Sequence, residues 1–290
     1  MGLPFIEAAC PTGKCRNNAW YSASLTYDAS TGKFSGNLET NQCPFYMQAT
    51  GRGTADCITE TIGGTSTMPR RGNIGWSVFG VNIYGSFEAG FGQKGVTLEN
   101  SQFTDTAAGD LGPFPCYNSA AGKYYGYCDS GVDVLSCEES LHQVCTGGEA
   151  DILSNLFMDV CGGHARPYHY HQELACYYDH KAPGHSPLVG YALDGHGIYG
   201  LYEKTNFEPV DLDACNGHTG PVPANSTYGV VAGAVYHYHT TIDFPFTLGC
   251  YGPKTLEQCQ ADDNDCDGKT LSVQMKDGGV KMFDNYCGCR

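Results

Sequence analysis

Sixteen cysteines are spread along this chain of 290 residues, and they restrict its fold more than any other feature of the sequence. Their number is even, they run from Cys10 to Cys289 without CxxC pairs, and no CxxCH haem-attachment motif occurs. Dispersed, even cysteines are typical of disulfide-linked proteins from oxidising compartments, whereas reduced thiolate metal sites need closer spacings. We therefore expect a disulfide-rich protein that is secreted or extracellular. The sequon Asn225-Ser226-Thr227 agrees with this and predicts a glycoprotein.

Charge and hydropathy exclude two classes of partner. Asp and Glu number 31 against 16 Lys and Arg, which gives a formal net charge of −15. Such an acidic surface repels phosphate backbones, so we expect no nucleic-acid partner. No apolar run approaches the length that spans a bilayer, and residues 1–7 lack the features of a signal peptide. We expect a mature chain with no membrane span.

The composition favours short strands and tight turns, because glycine (39) and tyrosine (20) are abundant while charged residues make up only 16%. Alternation predicts strands at 20–27 and 76–84, and a hairpin is predicted across 271–283. Helical spacing is found at 137–144, 149–160 and 255–260. We expect a mainly β fold with a few short helices, disulfide-rich, with a pseudo-duplicated histidine-rich core. The single compact unit, 1–290, would comprise a β-rich part (1–150), the core (151–252) and a cysteine-rich tail (253–290).

Two segments repeat the same order of motifs, CxGH, then YHYH, then Cys-Tyr. The first copy occupies 161–164, 168–171 and 176–177, and the second occupies 215–218, 236–239 and 250–251. The spacings between the motifs differ, which is typical of a diverged duplication with different loops. The repeat also predicts the disulfides Cys161–Cys176 and Cys215–Cys250.

Each copy is a candidate metal half-site. Alternate residues of a strand share one face, so a His-x-His pair offers two imidazoles to one ion. The glycine of CxGH predicts a tight turn, held by the preceding cysteine, that could bring in a third histidine. Three histidines with an open position are typical of catalytic zinc and also suit copper. The candidate ligands are His164, His169, His171, His218, His237 and His239.

Two interpretations without metal remain open. In one, the tyrosines of a YHYH strand fill a core while its histidines face water. In the other, buried histidines and tyrosines hydrogen-bond with one another. Two copies, each with its own CxGH, favour metal binding. The sequence leaves open whether the half-sites form one centre or two.

From Cys161 to Gly252 the chain resembles the YHYH-domain proteins, a family of mostly secreted or surface proteins. Beyond the two motifs, the resemblance extends through 185–195, 198–200, 212–218, 244–246 and 249–251. At His196-Gly197 the family usually has Phe-Pro, so this chain gains a histidine beside the presumed site. The resemblance implies a common fold unit and an extracellular setting, and it assigns no reaction.

Secondary candidates lie between and beyond the half-sites. His185, Asp194 and His196 could be ligands or groups that orient a ligand histidine, or else a turn histidine and a capping aspartate.

The tail contains an acidic segment that matches the start of a calcium loop through Asp263, Asp265 and Asp267. Position twelve of that loop is Gln274 instead of glutamate, and Cys266 lies inside it. A disulfide-bounded acidic turn is the alternative to a calcium site.

Three functions are consistent with these features. The first is a secreted metalloprotein with copper or zinc, which could activate water or, with copper and nearby tyrosines, support oxidative chemistry. The second is an extracellular structural or matrix protein that self-associates, with metal and disulfides as staples. The third is a module that binds a glycan or another ligand through exposed aromatic rings. No GxSxG, HExxH, P-loop or dinucleotide motif occurs, so no catalytic residue is assigned.

Overall fold

The computed structural model describes residues 10–11, 13–15, 19–45, 54–69, 72–85, 88–89, 110–111, 116–118, 123–125, 161–164, 167–171, 174–241, 245–262, 270–274, 280–284 and 289. Within these residues the chain is mainly β, as expected. The strands are β1 (Gly13–Lys14), β2 (Tyr21–Asp28), β3 (Lys33–Thr40), β4 (Thr54–Ala55), β5 (Ile58–Ile62), β6 (Asn73–Ser77), β7 (Asn82–Tyr84), β8 (Glu88–Ala89), β9 (Asp110–Leu111), β10 (Cys116–Asn118), β11 (Lys123–Tyr125), β12 (Gly163–His164), β13 (His169–Tyr170), β14 (Leu188–Ala192), β15 (Gly197–Tyr199), β16 (Gly217–Val222), β17 (Gly233–His239), β18 (Thr270–Gln274) and β19 (Val280–Asp284). One helix, α1 (Leu256–Asp262), and one 3₁₀ turn (Ala175–Tyr177) are described.

An eight-stranded sheet in the order β12-β13-β7-β6-β14-β15-β17-β16 contains both YHYH segments. β2, β3 and β5 form a separate antiparallel sheet of three strands. The remaining described strands pair as β1–β4, β8–β9, β10–β11 and β18–β19. The predicted strand at 20–27, the hairpin in the tail and the helical turn near 255–260 are therefore confirmed.

The segment 76–84 was expected to be one strand and is instead a hairpin of β6 and β7. The chain turns because Gly80 adopts a left-handed φ of 75° and its N–H donates to the Ser77 carbonyl at 2.9 Å. The Ser77 hydroxyl also accepts the N–H of Val81 at 3.0 Å. The alternation of apolar residues could not reveal this turn, because both arms of the hairpin are buried.

The large sheet has an internal two-fold relationship. The four strands β12-β13-β7-β6 are repeated in reverse order as β14-β15-β17-β16, with the hairpin β14–β15 corresponding to β6–β7. Trp76 pairs directly with Tyr191 at the centre, and these two residues occupy the same position of the repeat. The two-fold axis runs perpendicular to the sheet between β6 and β14, and rotation about such an axis leaves equivalent residues on the same face. The YHYH histidines of both copies therefore lie on the same side of the sheet.

Separate hydrophobic cores cover the two faces of the sheet. One contains all four YHYH tyrosines, together with Ile83, Ile198 and Leu248. The other joins Trp76 and Tyr191 to Phe34, Leu38 and Ile62 of the three-stranded sheet. The rings of Phe34 and Tyr191 pack 4.7 Å apart, edge to face. The histidines lie on this second side, where Tyr199 of the second core contacts His237 at 5.1 Å between ring centroids.

Both predicted disulfides, Cys161–Cys176 and Cys215–Cys250, are confirmed, and they lie at the core that contains the YHYH tyrosines. The other disulfides among the described residues are Cys10–Cys57, Cys15–Cys43 and Cys259–Cys289. In this part of the chain no helix has the length and apolar character needed to cross a membrane. The helices expected at 137–144 and 149–160 lie outside the described residues.

Candidate metal centre

Strand pairing brings the histidines of the second copy together. In the β16–β17 ladder His218 is directly opposite His237, and His239 follows two residues later on the same face. All three side chains are buried, with His237 only 1% exposed and His239 fully enclosed. The YHYH alternation therefore acts as the sequence predicted, with imidazoles on one face and tyrosines on the other.

Two further residues enter this group from the hairpin β14–β15. His185 precedes β14 and Glu203 follows β15, so the hairpin returns both to the same end of the sheet. The possible ligand atoms of His185, Glu203, His237 and His239 all lie within 4.8 Å of one another. His218 completes the group, with its Nε2 atom 3.3 Å from Nε2 of His237 and 3.3 Å from Oε2 of Glu203.

The spacings match those between ligands of one ion. The Nε2 atom of His237 lies 3.0 Å from that of His239 and 3.3 Å from that of His185. Glu203 Oε2 is 3.2 Å from His185 Nε2, 3.4 Å from His239 Nε2 and 3.9 Å from His237 Nε2. Ligand atoms about 2.0–2.1 Å from a common ion are about 3.3 Å apart at tetrahedral angles and about 2.9 Å apart at right angles.

Hydrogen bonds fix the tautomer of every histidine in the group. The Nδ1 atoms of His185, His237 and His239 face the carbonyls of Ser186, Val235 and Gly200, at 2.6, 3.0 and 2.6 Å. His218 Nδ1 faces the Asp211 carboxylate at 2.8 Å. Because these oxygens only accept, each Nδ1 must carry the hydrogen, and each Nε2 of the neutral ring presents a lone pair to the centre of the group.

The atoms that face the centre of the group are therefore hydrogen-bond acceptors, with no donor among them. Glu203 Oε2 is buried and receives no hydrogen bond, although four imidazole nitrogens surround it. A buried acceptor of this kind is costly unless a donor or a cation compensates it. A metal ion satisfies all five lone pairs at once, so the residues present fit a bound transition metal.

The pKa values keep these groups in the forms that bind metal. Burial, reinforced by His239, lowers the pKa of His185 to about 4 and that of His237 to about 2. Burial also lowers the pKa of His239. Burial opposes ionisation of Glu203, but a hydrogen bond from His239 and the positive charge that neighbouring histidines carry when they are protonated lower the pKa of this carboxyl. At neutral pH the imidazoles of His185 and His237 are therefore uncharged.

The first copy is placed at the opposite end of the sheet. Five strand-to-strand steps separate β13 from β17, about 24 Å at the usual spacing, so the two half-sites cannot share an ion. His169 and His171 are buried with their rings 4.7 Å apart, and Tyr84 stacks on His169 at 4.0 Å. His164 pairs with His169 in the β12–β13 ladder, as His218 does with His237.

The glycine of CxGH has a different role from the one predicted. The left-handed residues of the two turns are Gly162 (φ 82°) and Asn216 (φ 67°), which precede this glycine. Gly163 is needed because a Cβ there would meet the Tyr168 hydroxyl at 2.7 Å, and a Cβ at Gly217 would meet the Tyr236 ring. The glycine thus makes room for a YHYH tyrosine beside the histidine strand.

The secondary candidates separate into two groups. His185 joins the metal group, whereas Asp194 and His196 pair with each other at 2.9 Å between Oδ2 and Nδ1. Tyr238 donates to the same Asp194 oxygen at 2.7 Å, which places this pair on the tyrosine face of the sheet. The acidic segment Asp263, Asp265 and Asp267 lies outside the described residues.

Glu203 was missed from the sequence. No histidine pattern points to it, since it lies 34 residues before His237 and in the loop after β15. The sequence signal that could have identified Glu203 was the internal repeat, because the pattern Tyr-Gly-x-aromatic-Glu occurs at 84–88 and again at 199–203.

Comparison with known proteins establishes the family. The model of the YHYH protein family matches residues 57–210, which is more than half of the chain. The chain belongs to the YHYH protein family. The match begins earlier than the resemblance read from the sequence, which covered 161–252, and it ends before the second CxGH and YHYH motifs. Searches of curated proteins and of solved structures returned no match.

Proposed function

We propose that this YHYH protein is a secreted transition-metal-binding protein, and that His185, Glu203, His218, His237 and His239 hold the ion. The observation that carries the proposal is the convergence of four imidazole Nε2 atoms on a buried carboxylate oxygen that has no hydrogen-bond partner. A hydrogen-bond network without metal does not account for this group, because it would need donors where only acceptors point inward.

The donor set favours copper(II) or zinc. Neutral imidazoles with one carboxylate suit both ions, and copper(II) is generally bound more tightly than zinc by the same ligands. Thiolate ligation is excluded at this group, since the ten described cysteines with assigned partners are in disulfides and none is a member of it.

Five protein donors favour a closed centre. Structural sites fill their coordination with protein ligands, whereas catalytic sites keep a position open for water or substrate. Gly220 of β16 also covers the group, as a Cβ there would lie 3.1 Å from His218 Nε2 and 3.3 Å from Glu203 Oε1. When bound, the metal would cross-link β16 and β17 to both ends of the hairpin β14–β15, and copper would add a one-electron redox couple. A closed centre therefore favours a structural metal ion in an extracellular protein over the metal ion of a hydrolytic enzyme.

The disulfides support the secreted setting. Bonds such as Cys215–Cys250, buried beside the histidine strands, persist in oxidising compartments and are rare in the cytosol. Metal and disulfide would then stabilise the same two strands from their opposite faces.

Metal content per chain tests the proposal. The protein is expressed through a secretory route, purified without chelator and analysed by elemental mass spectrometry and copper spin resonance. Changing His237→Ala together with His239→Ala is expected to remove one equivalent, while His180→Ala, outside the group, leaves the content unchanged. A folded parent protein without copper or zinc, or a double variant that keeps the full content, would contradict the proposal.

A further inference from the structure

His218 differs from the other histidines of the metal group in the atom that holds its ring. The Nδ1 atoms of His185, His237 and His239 donate to backbone carbonyls at 2.6, 3.0 and 2.6 Å. His218 Nδ1 instead donates to a side-chain oxygen, Oδ1 of Asp211, at 2.8 Å. Within this group, the tautomer of His218 is therefore the one that a single side-chain substitution outside the group can release.

The strand that carries His218 gives its ring little other support. β16 is the last strand of the eight-stranded sheet, where it pairs with β17. Gly220, two residues further along the same face, has no side chain to pack against the imidazole, and a Cβ there would lie 3.1 Å from its Nε2 and Cε1 atoms. The ring contacts of His218 are with His237 and His239, which belong to the same group. The bond to Asp211 is thus the restraint on this ring that lies outside the group.

A tight turn brings Asp211 to His218, seven residues later in the sequence. The N–H of Asp213 donates to the Gly217 carbonyl at 2.8 Å, and the Asp213 carboxylate accepts the N–H groups of Cys215 and Gly217 at 2.9 and 3.0 Å. These bonds fold the chain back on itself just before His218. Because Asp213 holds the turn, the backbone places Asp211 beside the imidazole without any contribution from a metal ion.

The internal repeat separates the roles of the two aspartates. The first CxGH lies 54 residues before the second (215 minus 161), and at this offset Asp213 corresponds to Asp159, whereas Asp211 corresponds to Phe157. The turn sequence therefore retains one aspartate in both copies, and Asp211 belongs to the second copy alone. Its side chain is 66% exposed, while that of His218 is 5% exposed. An exposed carboxylate that is absent from the other copy and bonded to a buried imidazole indicates a role directed at that imidazole.

We propose that Asp211 is a positioning residue that keeps His218 coordinated and thereby keeps the metal centre closed to exogenous ligands. The inference rests on the proposed function, because it needs an ion held by the five donors. By accepting the Nδ1 hydrogen, the carboxylate leaves Nε2 of His218 as the ligand atom and raises the basicity of the ring. Without this bond the ring is free to rotate or to change tautomer. Either change opens a coordination position, while the other four donors still hold the ion.

Azide binding to the copper-loaded full chain tests this inference. The parent and the variants Asp211→Ala, Asp211→Asn, His218→Ala and Glu39→Ala are loaded with one equivalent of copper(II), desalted and assayed for copper per chain. Glu39, exposed in β3, controls for the loss of a carboxylate elsewhere on the surface. We expect azide to change the spin-resonance spectra of Asp211→Ala and His218→Ala and to leave the other three unchanged. In Asp211→Asn the amide oxygen can still accept the Nδ1 hydrogen, which is why this variant should behave as the parent does.

Copper affinity provides a second measurement. Competition with a chelator is expected to show binding weakened by about 10- to 100-fold in Asp211→Ala and largely restored in Asp211→Asn. Near-ultraviolet circular dichroism checks that each variant is folded. If Asp211→Ala does not fold, Asp211→Leu, which has a similar shape and no acceptor, replaces it with the same expected result.

The outcomes separate this inference from the proposed function. An azide response in His218→Ala without one in Asp211→Ala would mean that His218 stays bound without Asp211, and it would overturn the inference alone. A response in the parent, or an equal response in Asp211→Asn and Asp211→Ala, would also overturn it and leave metal binding standing. A folded parent that binds no copper would overturn both proposals, since the same donors bind zinc less tightly than copper.

Discussion

The Nε2 atoms of His237 and His239 lie 3.0 Å apart, although in the neutral Nδ1–H tautomer neither atom carries a hydrogen. Each ring is held by its Nδ1–H, which donates to the carbonyl of Val235 in one case and of Gly200 in the other. The backbone therefore presents two lone pairs to each other, and Glu203 adds a negative charge beside them. Such an arrangement is stable when a cation lies among these atoms, and it gives the metal-free protein distinctive properties.

Glu203→Gln should separate the metal-free protein from the loaded one. A glutamine amide can donate to the facing imidazole nitrogens, so we expect the metal-free variant to be more stable by about 1 kcal/mol, or a few degrees in melting temperature. The same change removes a proposed metal ligand and should weaken copper or zinc binding at this group by about 100-fold or more. Thermal unfolding with and without chelator measures both effects, with Glu39→Gln as control. Lower stability of the metal-free variant together with unchanged affinity would be the contrary result.

Acid should destabilise the metal-free protein below about pH 6.5. The folded pKa values of His185 and His237, about 4 and about 2, are below that of a free histidine, so the unfolded chain binds more protons in this range. The contribution of these two histidines to the free energy of unfolding is therefore fully present above about pH 6.5. It decreases as the pH is lowered, by about 1.4 kcal/mol per pH unit for each histidine. The lowered pKa of Glu203 extends the loss to more acidic pH. Chemical unfolding at pH 7 and pH 5 tests this, and His237→Ala should show a smaller difference than the parent.

Gly217→Ala should destabilise the β16–β17 ladder. A methyl group there would meet the ring of Tyr236, whose hydroxyl donates to Asp213 at 2.9 Å and thereby holds the turn before His218. We expect a loss of about 1–3 kcal/mol, because this tyrosine cannot move without breaking that bond. Gly233→Ala is the matched control in the same ladder, since nothing lies within 4 Å of its added methyl. Equal unfolding midpoints for the two variants would argue against the packing role.

Removing the Cys215–Cys250 disulfide should affect the metal centre directly. This bond closes a loop with a sequence separation of 35 and lies three residues before His218, so its loss loosens the turn that positions this ligand. We expect a loss of about 3–4 kcal/mol from the closed loop and weaker metal binding. Replacing Cys10 and Cys57 removes a loop of similar size, with a separation of 47, and should leave metal affinity unchanged. A parallel decrease of affinity in both variants would point to a general loss of stability instead.

Local features of the structure followed directly from the sequence. Alternation along β17 predicted that His237 and His239 share a face, because neighbouring side chains of a strand point in opposite directions. The matched order of motifs predicted the disulfides at Cys161 and Cys215. The mainly β class followed from the abundance of glycine and tyrosine and the scarcity of charge. Membership of the YHYH family was also indicated by the motifs themselves.

The incorrect expectations concern turns and packing. The single strand at 76–84 is a hairpin because Gly80 reverses the chain, which buried alternation does not reveal. The CxGH glycine was assigned to a turn and is instead required by a tyrosine from another strand. His196 was expected beside the site and pairs with Asp194 on the tyrosine face. Each of these outcomes depends on a contact between segments that are distant in sequence or on a backbone angle that side-chain patterns do not specify.

By itself, the sequence determined which residues repeat, which cysteines pair in the two copies and which face of a strand its histidines occupy, because strand alternation and the matched motif order specify these features. The tertiary structure alone decided that the two half-sites lie too far apart to share an ion, since strand order places β13 and β17 at opposite ends of one sheet. It also decided that His185 and Glu203 join His237 and His239, because the hairpin β14–β15 lies beside β17 through a long-range parallel pairing. Such pairings depend on how the whole sheet buries its apolar faces, and no local pattern encodes them.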